Sequence, residues 1–163
     1  MQVVLLRHGI AEDRAPRGDD GARRLTAEGR EKLAKGARGL ARLLDSVDAW
    51  AASPLVRAVE TARIASAQFQ EAEPEELEAL LPGARPEALL PWLRRHPAPA
   101  TLVAAGHAPH LAELAGFLLG ANGPLFELDK GGACLLELDG PPKRGAARLG
   151  WLLTARQLRR MRR

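Results

Sequence analysis

Arg7-His8-Gly9 follows directly on the apolar run Val3-Val4-Leu5-Leu6. A histidine beside a guanidinium at the exit of a buried strand is suited to holding an anion, because open α/β sheets place their ligands at that edge. Ser53-Pro54-Leu55-Val56-Arg57 and Gly106-His107-Ala108-Pro109 also follow short apolar segments. They add a second guanidinium and a second imidazole. Phosphoryl transfer needs a group to attack phosphorus and donors to balance the charge on the phosphoryl oxygens as the transition state forms. A neutral imidazole can attack, and His8 is the candidate. Gly9 lets the chain turn beside it and offers a carbonyl to the second ring nitrogen. Arg7 and Arg57 are candidates for binding phosphoryl oxygens through their forked donors, which lysine lacks. His107 is the remaining donor, just ahead of a helix whose N-terminus also favours an anion. The candidate catalytic set is thus His8, His107, Arg7 and Arg57, and the candidate substrate-binding set is Arg7, Arg57, His107 and Gly9. A zinc site built from His8, His107 and His110 competes, but it has no cysteine and no close histidine spacing, and the arginines would repel a cation. No metal is expected.

The elements that must position these groups are legible in outline. Residues 2–6 read as a central strand apolar on both faces. A polar loop over Glu12–Arg24 leads to Thr26, which can cap a helix over Ala27–Leu44 with Leu33, Ala37, Leu40 and Leu44 on one face. Asp48–Ala52 reads as a second strand, with Ser53 as N-cap and Pro54 as first residue of a helix to about Ser66. The five glutamates between Glu71 and Glu78 mark an exposed connection with a short edge strand. A helix from Pro86 or Glu87 to Arg95 is stopped by His96-Pro97. Thr101–Ala105 is the next buried strand, and Leu111, Leu114, Ala115 and Leu118 line a helix ending at Gly120. Ala133–Leu138 and Ala146–Leu153 read as a closing strand pair, followed by a basic helix. Strands alternating with helices predict an α/β fold with a mostly parallel sheet flanked by helices.

The chain of 163 residues is expected to form a single domain over 1–163. No apolar run reaches the ~18 residues needed to span a bilayer, and Arg7 interrupts the first one at once, so the expectation is a cytoplasmic protein without a membrane partner. The lone cysteine, Cys134, sits in an apolar run and reads as a small buried hydrophobe. The net charge of +4 is uneven: Gly140–Arg163 holds eight lysines and arginines and no acid. The rest of the chain is therefore at −4. With three tryptophans, three phenylalanines and no tyrosine for stacking, the basic tail reads as a solvated helix and not as a nucleic-acid-binding element.

These residues in this order resemble the histidine phosphatase (phosphoglycerate mutase-like) superfamily, and in particular its short SixA-type phosphohistidine phosphatases. The resemblance rests on Leu6-Arg7-His8-Gly9 with Ala11-Glu12, Arg24-Leu25-Thr26 with Gly29, Ser53-Pro54 with Arg57-Ala58 and Thr61-Ala62, Gly106-His107, and Lys130-Gly131. It implies a three-layer α/β/α fold. It also implies that His8 is phosphorylated during turnover, that Arg7 and Arg57 bind the phosphoryl oxygens, that His107 completes the pocket, and that no cofactor takes part. The substrate it implies is a phosphohistidine-bearing protein, with a small phosphorylated molecule as the alternative. Larger relatives carry a glutamate proton donor in an inserted segment. Here only Glu78 and Glu87 stand in a comparable position, and a missing acid would suit a phosphoramidate, whose imidazole leaves more readily than an alkoxide.

Overall fold

The computed structural model describes residues 1–70 and 73–161. Its elements run β1 (Gln2–Arg7), α1 (Ala27–Leu40), β2 (Ala49–Ala52), α2 (Val56–Ser66), β3 (Glu75–Glu76), α3 (Leu90–Arg94), β4 (Thr101–Gly106), α4 (His110–Leu118), β5 (Ala133–Leu138), β6 (Ala147–Leu153) and α5 (Ala155–Arg160). Short 3-10 turns at Pro16–Gly18, Asp20–Ala22, Glu78–Leu80 and Pro86–Leu89 fill the connections.

The described residues form one six-stranded sheet in the order β3-β2-β4-β1-β5-β6. Strands β1 to β4 pair in parallel, while β5 runs antiparallel to both β1 and β6. Alternation along β1 divides the core. Val3 and Leu5 face one way, packing with Leu93 of α3 and with Leu111, Leu114 and Leu118 of α4. Val4 and Leu6 face the other, packing with Ala37 and Leu40 of α1, Ala65 of α2 and Leu158 of α5. The fold is the expected three-layer α/β/α arrangement. Cys134 is buried in β5, where burial pushes its thiol up to about 12.

Most boundaries fall where the sequence puts them, and the differences have local causes. Helix α1 stops at Leu40, not Leu44, because the chain turns to reach β2, although Leu44 still packs in the α1 cluster. Its start is as expected, with the Thr26 hydroxyl accepting from the Gly29 amide at 2.9 Å. Ser53 does not cap α2: the helix begins at Val56 behind Leu55, and no side chain caps it. The segment from Pro86 splits into a 3-10 turn and α3, with Pro91, which has no amide hydrogen to donate, near the junction. Edge strand β3 spans Glu75–Glu76, while Glu71 of the glutamate run lies outside the described residues.

Two glycine contacts seat α1 closely on its neighbours. A β-carbon at Gly29 would lie 2.0 Å from the Ile10 carbonyl oxygen, so α1 seats directly on the chain leaving Gly9. A β-carbon at Gly39 would lie 1.9 Å from the Leu158 carbonyl, so α5 lies backbone against backbone on α1.

Candidate active site

Sheet register brings the predicted groups together. Arg7 of β1 pairs with Gly106 of β4, and Ala52 of β2 pairs with Ala105. Three adjacent parallel strands therefore end at one level, and the next residues out are His8, His107 and Ser53. Backbone bonds continue past the strands: the His8 amide donates to the Gly106 carbonyl at 2.9 Å, and the Ser53 amide to the Ala105 carbonyl at 2.9 Å. On the other side of β1, the Gly131 amide reaches the carbonyls of both Arg7 (3.1 Å) and His8 (3.0 Å). Gly131 adopts φ 76°, a region open to glycine at little cost.

His8 and His107 are both buried, with ring centroids 5.2 Å apart. His8 Nδ1 lies 2.7 Å from the Gly9 carbonyl oxygen. A carbonyl only accepts, so Nδ1 carries the proton and the Nε2 lone pair is left for chemistry. Burial is the main reason the His8 ring is held down to about 4, and Arg57, Arg7 and Lys130 add to the effect. His107 is held at about 3, again chiefly by burial and then by His8 and Arg57. Its Nε2 bonds the Ser53 hydroxyl at 2.8 Å. That contact occupies the serine the sequence reading assigns to a helix cap.

The two arginines are anchored differently. Arg7 Nη1 donates to the Leu128 carbonyl at 2.6 Å, and Asp129 and Glu127 lie close enough to oppose the effect of burial on its guanidinium. Arg57, nearly inaccessible in α2, donates from Nη1 to the Asp20 carbonyl (3.0 Å) and from Nη2 to the Asp20 carboxylate (3.1 Å). Neither Nε has a protein partner among the described residues. The Gly9 amide donates to Thr61 Oγ1 at 3.1 Å, and the same hydroxyl donates to the Arg57 carbonyl at 2.7 Å.

Three supporting contacts escape sequence reasoning: that of Ser53 with His107, the bridge through Thr61, and that of Asp20 with Arg57. A fourth, Glu60, is buried in α2 and binds the Leu25 amide (2.9 Å), Arg30 (2.6 Å) and Arg24 (3.0 Å). Burial alone would raise its carboxyl, but these donors together outweigh it and hold it low. A polar residue inside an otherwise apolar helical face was the available signal for Thr61 and Glu60. His110 lies buried in the first turn of α4, hydrogen-bonded to neither of the other histidines. Glu78 and Glu87, the positional candidates for a proton donor, hydrogen-bond none of the four central side chains, and Glu87 lines a separate groove with Glu113 and Arg144. A groove of about 600 Å³ opens beside Arg7, walled by Pro109, Ala112, Leu125, Phe126 and Glu127.

The buried, neutral histidines make the fold sensitive to acid. In the unfolded chain they protonate near 6.5, whereas the folded state refuses the proton until about 4 for His8 and about 3 for His107. Their folded values are depressed, so their contribution is complete above about pH 6.5 and is lost as pH falls toward 4. Between pH 7 and pH 5 the pair is expected to remove about 4 kcal/mol of stability, roughly half from each ring. Urea unfolding at the two pH values measures this. An unchanged midpoint would mean that these rings take up protons alike in the folded and unfolded chain.

The chain belongs to the histidine phosphatase superfamily (branch 1), whose family model matches residues 3–81. That match spans Arg7, His8, Gly9 and Arg57, and His107 lies beyond it. An uncharacterized protein of Picosynechococcus sp. is 36% identical over 152 residues, which is 91% of this chain and 88% of that protein. Among solved structures, the protein histidine phosphatase SixA complexed with tungstate superposes with a TM-score of 0.81 at 22% identity, covering 97% of this chain and 99% of that one. A phosphoserine phosphatase mutant of Entamoeba histolytica in complex with phosphoserine gives 0.72 at 16% identity, with 96% and 98% covered. Mycobacterial glucosyl-3-phosphoglycerate phosphatase complexed with VO3 gives 0.73 at 17%, with 94% and 99% covered. At these identities the likeness is one of fold. No described helix is long and apolar enough to cross a membrane.

Proposed function

We propose that this chain is a phosphatase that hydrolyses phosphohistidine on a protein substrate, working in the cytoplasm as a single domain over 1–163 and without metal or cofactor. The observation that carries the phosphatase reading is the state of His8: neutral, with Nδ1 tied to the Gly9 carbonyl and Nε2 free, between Arg7 and Arg57. Nε2 attacks phosphorus, the bond from phosphorus to the substrate's ring nitrogen breaks, and the departing imidazole takes up a proton. Arg7 and Arg57 hold the phosphoryl oxygens, and His107 donates to the transferring group as its charge builds. Water then attacks phospho-His8, the P–N bond to Nε2 breaks, and phosphate leaves.

Two features favour phosphohistidine. Neither Glu78 nor Glu87 touches the central groups, and an imidazole leaves without the strong acid that an alkoxide needs. The groove beside Arg7 is open and partly apolar, with Leu125 62% exposed on its wall, a shape suited to a protein surface. Glu127 in that groove favours a second reading, a broad phosphomonoesterase for small molecules, in which this carboxyl would protonate the leaving oxygen. Steady-state kinetics separate the two. On the first reading kcat/KM for a phosphohistidine peptide exceeds that for sugar phosphates by about 100-fold or more, the discrimination expected when the leaving-group contacts differ by ~3 kcal/mol. Faster turnover of the sugar phosphates overturns it.

A further inference from the structure

The rim of the site is electrically lopsided. On the Arg7 side stand Glu127 and Asp129. On the other side Lys130, Lys32 and Arg159 share a crevice with Gly9, the residue after His8. Lys130 precedes the glycine whose amide bridges the carbonyls of Arg7 and His8, so its backbone is fixed at the mouth of the site. Helix α5 extends this basic side with Arg156, Arg159 and Arg160. The helix is well anchored. Thr154 and Gln157 form a capping box, Leu158 is buried against α1, and Gly39 admits the Leu158 carbonyl at backbone contact. Lys32 pairs with Glu28 on its own helix. Among the described residues no carboxylate lies within ion-pair distance of Lys130, Arg156, Arg159 or Arg160.

Resting on the phosphatase reading of the adjoining pocket, we propose that this basic side, Lys130 with Arg156, Arg159 and Arg160, docks an acidic surface of the phosphoprotein substrate. Unpaired charges beside a reaction centre raise the encounter rate of an oppositely charged partner, and salt screens that attraction over a Debye length of ~8–10 Å. The acids beside Arg7 turn attraction into orientation, since a partner acidic on one flank of its phosphohistidine is drawn in one way round and repelled the other. A nucleic acid fits less well. Glu127 and Asp129 would face its phosphates, and the crevice holds no aromatic ring on which a base could stack. A membrane surface fits less well too, because α5 spends Leu158, its one large apolar residue, on α1.

The test compares two fluorescein-labelled peptides on the intact chain, each with one central histidine. One carries four flanking Asp or Glu residues, and the other carries Asn or Gln in their place. By fluorescence anisotropy at ~50 mM salt the acidic peptide is expected to bind about tenfold more tightly, a gap that closes by ~0.5 M salt. The triple variant R156Q/R159Q/R160Q, which keeps only Lys130 of the four, is expected to lose most of that preference. With both peptides phosphorylated on histidine, the ratio of their kcat/KM values is expected to fall toward one in the same variant. Equal binding of the peptides by the unaltered chain overturns the proposal. So does a preference undiminished in the triple variant, or tighter binding of a 20-base-pair DNA or of phosphatidylserine vesicles than of the acidic peptide. A charge preference in binding with no hydrolysis of either phosphopeptide would sink the phosphatase reading and leave the docking surface standing.

Discussion

Replacing His8 with alanine is expected to lower turnover of any phosphorylated substrate by about 10⁴-fold or more, since under the proposed mechanism the variant has no nucleophile with which to divide the reaction into two steps. Substrate binding should survive better than catalysis, because Arg7 is anchored by the Leu128 carbonyl and Arg57 by Asp20, and neither depends on the imidazole. Two measurements check this. Initial rates on p-nitrophenyl phosphate give the loss. Rapid quenching with a labelled phosphodonor should trap a phosphoenzyme that is stable in alkali and labile in acid in the unaltered chain, and none in His8→Ala. Retention of even a tenth of the rate would assign the attack to another group, with His107 the nearest alternative at 5.2 Å between ring centroids.

Arg57→Lys is expected to cost about 10²–10³ in kcat/KM, with most of the loss in kcat. Lysine keeps the charge and removes the fork. Arg57 spends both terminal nitrogens on Asp20, one on its carbonyl and one on its carboxylate. Its planar geometry can hold that loop and still present a donor edge to phosphate, whereas a single ammonium cannot span both tasks. The Asp20 side chain is 68% exposed and also pairs with Arg23 at 2.9 Å, so its hold on Arg57 is weak enough to yield to a doubly charged anion. Steady-state rates together with the affinity for tungstate, a phosphate mimic, distinguish the two contributions. A variant that keeps full kcat and loses only affinity would mean that Arg57 binds ground state and transition state alike.

What the sequence makes legible here is whatever depends on local pattern. The apolar run ending at Arg7, the Thr26 cap, the strand before His107 and the periodicity of α4 are each written within a few residues. Their convergence was legible as well, because right-handed crossovers bring successive parallel strands out at one edge. What escaped detection depends on partners distant in the chain. Ser53 followed by proline satisfies the rule for a helix cap, yet its hydroxyl answers to a histidine 54 positions away. Asp20 looks like any residue of a charged loop until Arg57, 37 positions on, is folded beneath it. The segment from Pro86 is helical between the start and stop its sequence marks, but those marks say nothing about where Pro91 interrupts the hydrogen bonds.

Thr61 shows how such long-range links govern the working parts. One hydroxyl takes the amide beside His8 and gives its own proton to the carbonyl of Arg57. The backbone beside the proposed attacker and the backbone of the proposed clamp are therefore joined by a strut a single side chain long. Little alignment remains to be found when substrate arrives, so the search for a reactive geometry falls mainly on the incoming molecule.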